Sequence, residues 1–104
     1  MDINTYRVIV IPTAEREINR IYEYILKDLE LEETAKNLMK RIEEIINTLK
    51  YAPHIFTKVE RNYGLDMKYR RIVVKNYVIL YTIDEKKQIV YIAHMYYKKR
   101  NYLN

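Results

Sequence analysis

Arg70, Arg71, His94 and the run Tyr97, Lys98, Lys99, Arg100, Asn101, Tyr102 are the residues of this chain best suited to chemistry. Arginines can neutralise phosphate or carboxylate charge. A histidine titrates near neutrality and can serve as a general base. A basic run ending in tyrosine can grip phosphates and stack on a base, or meet an acidic protein surface. Each group also has a plainer reading. Adjacent strand residues point to opposite faces, so only one of Arg70 and Arg71 can face a given groove. The other is then a surface arginine lying along apolar neighbours, or is paired with a helix glutamate. His94 also reads as a half-buried ring hydrogen-bonded across a sheet, because no acid partner stands near it in sequence. His54, beside Pro53 in a loop, reads as structural. The basic run reads equally as a frayed terminus.

Composition removes most other chemistry. There is no cysteine, so disulfides, thiolate nucleophiles and the common zinc sites are excluded. Two histidines far apart in sequence do not suggest a metal site, and no cofactor is expected. No serine is present, which excludes a Ser-His-Asp triad, and the single glycine, Gly64, excludes glycine-rich phosphate loops. The 12 tyrosines accompany much Ile, Lys, Asn and Glu, as an AT-rich genome produces, and some are candidates for stacking. Charge is uneven. Residues 1–57 hold 8 Lys/Arg and 10 Asp/Glu, a net of −2, whereas residues 58–104 hold 11 and 4, a net of +7. Such asymmetry suits a polyanion or an acidic protein partner, or is simply a solvated basic face. No apolar run approaches a membrane span and no signal peptide is read at the N-terminus, so a cytoplasmic protein is expected.

The elements that must position these residues follow from periodicity. One hundred and four residues support one domain with one core, residues 1–104. Thr5 to Ile11 (TYRVIVI) reads as a strand, stopped by Pro12. Thr13 is a candidate N-cap for a helix over Ala14 to Asp28, with Glu15 and Glu17 near the positive end of its dipole. Ile18, Ile21, Tyr22, Ile25 and Leu26 form its apolar stripe. A second helix over Glu32 to Lys50 carries Ala35, Leu38, Met39, Ile42, Ile45, Ile46 and Leu49 at the same period, and Pro53 follows it. A loop with room for one short extended piece leads to strands over Tyr69–Val74, Tyr77–Ile83 and Gln88–Tyr96. Lys75-Asn76 makes a tight hairpin, with asparagine suited to positive φ. VILYTI is apolar on both faces, which places it centrally. The order is β-α-α-β-β-β, an α+β fold in which two helices cover one face of a sheet and leave the other open.

In this order and spacing, YRVIVIPTAEREINRIYEYI, TAKNLMKRIEEIINTLKYAP and YRRIVVKNYVILYTIDEKKQIVYI with KKRNY resemble the RelE/ParE toxin superfamily of type II toxin–antitoxin modules. The resemblance covers nearly the whole chain. It implies a small twisted antiparallel sheet with a helix hairpin on one face, and a growth inhibitor of the kind found in plasmid stabilisation modules. It implies a cognate antitoxin as partner, laid as an extended or helical segment over the sheet and its basic groove. Two mechanisms occur in the superfamily. RelE-like members cut mRNA on the ribosome; ParE-like members bind and poison DNA gyrase without turnover.

Cleavage by 2′-OH attack needs a base, cations for the crowded phosphorane and an acid for the leaving oxygen. RelE-like sites usually carry an arginine near the start of the middle hairpin strand. Here that position is Val78, which cannot neutralise phosphate charge. ParE-like relatives often have a glycine before the basic pair, where this chain has Tyr97. The resemblance therefore implies a gyrase poison first, with Tyr97, Lys98, Lys99, Arg100 and Tyr102 as contact residues. The alternative is a ribosome-dependent mRNA endonuclease with Arg70, Arg71, His94 and Tyr102 as candidate catalytic residues, the basic tail binding phosphate, and Tyr97 able to share Tyr102's role. A third reading is an inactive member that only binds its antitoxin.

Overall fold

The computed structural model describes residues 5–59 and 68–99, so Arg100 and Tyr102 lie outside the described residues. Strand β1, Arg7–Val10, leads directly into helix α1, Pro12–Glu23. Pro12, expected only to stop the strand, also opens the helix. Its fixed φ suits the first helical turn, and its missing N–H is one that no helix start would use. The cap position is therefore Ile11, without a side-chain hydrogen bond, and not Thr13. The Thr13 hydroxyl instead accepts a bond from the Arg16 guanidinium at 3.3 Å.

Past Glu23 the helix widens into a π-helical turn, Tyr24–Asp28, closed by the Leu29 N–H on the Tyr24 carbonyl at 3.1 Å. Glu30 then takes a left-handed φ of 54°, which reverses the chain into helix α2, Glu32–Tyr51. Both predicted stripes face the core: Ile18 and Ile25 are buried, joined by Ala14, as are Ala35, Leu38, Ile42, Ile45 and Leu49, while Ile21, Tyr22, Leu26, Met39 and Ile46 are partly buried against them.

The loop after α2 holds the short strand β2, Thr57–Lys58. Strands β3 (Arg70–Val74), β4 (Tyr77–Asp84) and β5 (Ile89–Tyr97) complete a sheet of order β1-β5-β4-β3-β2. The sheet is mixed, not wholly antiparallel, because β1 pairs parallel with β5, Arg7 opposite Ile89. Entry through α1 and α2 supplies the long crossover that a parallel pair requires. β4 is central, as its two apolar faces predict, and Val78 to Thr82 are all buried. In the β3–β4 turn it is Lys75, not Asn76, that takes positive φ, at 53°.

The face away from the helices departs from expectation. It is not open at its centre: Tyr69, Val78, Leu80 and Ala93 form a second buried cluster, with Ile11, Val59 and Tyr96 packed against it. A β-bulge contributes to this. Leu80 pairs with His94 but Tyr81 pairs with Ile92, so Ala93 is an extra residue on β5. The bulge lets Ala93 join that cluster while His94 stays opposite Leu80 on the same face.

Candidate functional site

Strand register decides where the two arginines go. Arg71 pairs with Leu80, so its exposed side chain shares the face away from the helices with Leu80, Val78 and His94. Arg70 pairs with Tyr81 and turns to the helix side. There its guanidinium donates to the His54 carbonyl at 3.0 Å and the Phe56 carbonyl at 2.8 Å. Those bonds fix the loop that leaves α2. Arg70 is thus tied to main-chain carbonyls, not to a helix glutamate, and is not brought together with Arg71. Beside Arg71 stands Tyr96: burial raises its phenol pKa, and the nearby guanidinium partly offsets this.

His94 has an acid partner that sequence proximity does not reveal. Its Nδ1–H donates to Oε1 of Glu17, 3.2 Å away, on α1. The same oxygen accepts the main-chain N–H of Met95 at 3.2 Å. β1 ends at Val10, opposite Ile92, so β5 runs on past its parallel partner. α1 takes the place of the missing strand, and Glu17 satisfies an N–H that strand β1 cannot reach. Both side chains are largely buried, with 20% of His94 and 14% of Glu17 exposed. The Tyr69 ring meets the His94 ring edge-on, centroids 6.3 Å apart. The half-buried reading of His94 is therefore the observed one, with a bond that runs to a helix. Replacing Glu17 with alanine should cost about 1–2 kcal/mol by stranding the Met95 N–H. A chemical denaturation curve checks this. Glu17→Gln, which keeps an acceptor, should lose less.

His54 stands at the opposite end of the sheet. Its Nε2–H donates to Glu85 at 2.6 Å, and the Tyr6 hydroxyl donates to the same carboxylate at 3.0 Å. The His54 bond, aided by Tyr6, holds the Glu85 carboxyl below its usual pKa. The group joins the residue just before β1, the loop after α2 and the β4–β5 turn, which supports the structural reading of His54. Next to it a hollow of about 600 Å³ is bordered by Lys58, Lys68, Arg70, Tyr69 and Glu85.

The tail begins on the other side of the sheet. Tyr97 pairs with Tyr77, and their rings meet at 63° with centroids 5.8 Å apart. Tyr97 is 44% exposed. The Lys98 N–H donates to the Asn76 carbonyl at 2.6 Å, which draws the start of the tail against the β3–β4 turn. Arg71 and His94 thus share one face, whereas Tyr97 turns to the other at the sheet end. Among the described residues no cluster of side chains suits a metal ion, and no helix is long and apolar enough to cross a membrane.

This arrangement, a helix hairpin on a five-stranded mixed sheet, has known counterparts. The family described as "ParE toxin of type II toxin-antitoxin system, parDE" matches residues 8–102. The chain belongs to that family. It is a toxin of a type II toxin–antitoxin system, of the ParE/RelE kind. Among curated proteins none matches. The fold is shared with the archaeal RelE–RelB complex from Pyrococcus horikoshii, at 18% identity and a TM-score of 0.61, over 92% of this chain and 98% of that one. It is shared too with the toxin–antitoxin complex RelBE2 from Mycobacterium tuberculosis, at 18% identity and a TM-score of 0.59, over 92% and 94% of the two chains. The chromosomal ParDE system from P. aeruginosa gives a TM-score of 0.67 at 11% identity, over 90% and 97%. The fold therefore accommodates both names, and the side chains must choose between mechanisms.

Proposed function

We propose that this toxin arrests growth in the cytoplasm by binding DNA gyrase without turnover, and that a cognate antitoxin neutralises it. The observation that carries this reading is the state of the face where cleavage would have to occur. Val78 is buried there, only 3% exposed, and lies with Leu80, Ala93 and Tyr69 in an apolar cluster. Strands β3, β4 and β5 place one arginine on that face, Arg71. Phosphoryl chemistry rests on cations aimed at the developing charge, and an apolar floor supplies none. The antitoxin is supported by the three structural neighbours, each of which is a toxin–antitoxin system.

One observation favours the second reading, an mRNA endonuclease. Glu17 orients His94 as a base must be oriented, with Arg71 on the same face. The two readings separate in a supercoiling assay with purified gyrase. The binding reading expects inhibition by the wild-type chain, unchanged in Arg71→Ala and His94→Gln. The nuclease reading expects no inhibition, and a loss of growth arrest in His94→Gln consistent with the roughly 10²–10⁴-fold that a general base contributes.

A further inference from the structure

Three tyrosines from distant parts of the chain, two exposed and one half-buried, stand near the start of the tail. Tyr97 ends β5, Tyr77 opens β4, and Tyr24 opens the π turn that follows α1. Tyr97 and Tyr77 are in ring contact. Tyr24 is 50% exposed and, with Tyr97, lies close enough to Tyr77 to act on its ionisation. Burial is the larger influence, and it keeps the Tyr77 phenol protonated beyond the usual tyrosine range. π turns recur at functional sites, because the extra residue re-aims side chains along a helix. Around this ridge stand lysines. Lys75 occupies the turn just before Tyr77, and Lys98, bonded through its main chain to Asn76, is followed by Lys99. All three are exposed.

We infer that Tyr24, Tyr77 and Tyr97, with Lys75, Lys98 and Lys99, form one docking surface for an acidic protein segment. Such a segment would lay an apolar side chain on the ridge and present carboxylates to the lysines. This deepens the binding reading above and rests on it for the role of Tyr97 and the tail. Charge complementarity selects an acidic partner. Ring geometry selects protein over single-stranded nucleic acid. Base stacking uses flat, successive ring faces, whereas here Tyr77 is half-buried against the helix-side core and meets the Tyr97 ring edge-on. The tyrosine hydroxyls add hydrogen-bond donors for carboxylates. Tyr24 is the unexpected member: it joins the helix hairpin to a surface otherwise built by strand ends.

The test is an NMR titration of the whole chain with a synthetic peptide alternating Glu-Asp pairs with Leu and Phe. An oligothymidylate single strand is titrated in parallel. Peptide-induced shifts are expected at Tyr24, Tyr77, Tyr97, Lys75 and Lys98. Affinity should weaken about tenfold in Lys98→Glu/Lys99→Glu, since each lost charge pair becomes a repulsion. Tyr24→Ala, at an exposed position that the fold does not need, should weaken it several-fold. No peptide shifts, shifts confined to the Arg71 and His94 face, or tighter binding of the oligonucleotide to the same residues would each overturn the inference. The gyrase assay on the same preparation keeps the two claims apart. A chain that binds peptide on this ridge yet spares gyrase refutes the gyrase reading alone. A chain that inhibits gyrase equally well as Tyr24→Ala, and shows no peptide shifts on the ridge, refutes this surface alone.

Discussion

Removing residues 98–104 should abolish growth arrest while leaving the fold in place. The segment contributes Lys98, Lys99, Arg100 and Tyr102, so 3 of the 11 Lys/Arg of residues 58–104 are lost with it. Of the described part, one main-chain bond is forfeited, Lys98 N–H to the Asn76 carbonyl. The core strands and both helices end before the cut, so stability should fall by only about 1 kcal/mol, or about 4–8 °C in melting temperature. Colony formation after induction without antitoxin reports the first effect, and thermal circular dichroism the second. Full toxicity in a folded truncated chain would remove the tail from the contact surface. Loss of the fold would mean that the Asn76 contact matters more than one hydrogen bond can explain.

The second large effect is alkaline. Tyr81 is fully buried on β4, and its hydroxyl donates to the Pro53 carbonyl at 2.6 Å. Its ring also meets Phe56 edge-on, at 6.3 Å between centroids. Burial pushes the phenol up to about 12, against smaller opposing effects of Arg70 and a main-chain bond. A raised folded-state pKa means that the stabilisation is fully present below the ordinary tyrosine value and is lost as pH rises through the folded one. Between about pH 10 and pH 12 the chain should therefore lose up to roughly 3 kcal/mol through this residue alone. Tyr81→Phe should behave oppositely in the two regimes. Near neutrality it should be about 1 kcal/mol less stable, because the Pro53 carbonyl loses its donor. Above pH 10 its stability should fall less steeply than that of the wild type, since nothing there must ionise. Denaturant midpoints across pH 7–11.5 for the pair of proteins check both. Parallel curves would show that Tyr81 can ionise in place.

Much of this fold is legible in the chain. The stripes of both helices, the two-faced apolarity of β4 and the break at Pro53 each state a burial pattern, and burial is what periodicity encodes. What the sequence hides is long-range. Glu17 and His94 are 77 positions apart. Only the shortness of β1 against β5 brings α1 alongside the free edge where a carboxylate is needed. Strand direction is hidden as well, because a β-branched run reads alike whether its partner is parallel or antiparallel. The sides taken by Arg70 and Arg71 follow from their register against Tyr81 and Leu80, which alternation constrains but does not fix. Left-handed backbone stands at Glu30, Lys75 and Gln88, where residue type gives no warning. The second buried cluster escapes notice because Tyr69 precedes β3 while Val78 and Ala93 come from β4 and β5, and Ala93 enters through a bulge. Tyr24 escapes for a similar reason: off the helical stripe it looks like an ordinary exposed ring until the fold sets it near Tyr77.

A toxin that stops growth by binding gyrase, and not by cutting message, must halt DNA synthesis before protein synthesis. Pulse labelling during the first minutes after induction without antitoxin tests it most directly, with thymidine and amino-acid incorporation followed together. Thymidine incorporation should fall first, with protein synthesis following later. Amino-acid incorporation failing first, with DNA synthesis still running, would contradict it and return His94, Glu17 and Arg71 to the centre of the mechanism.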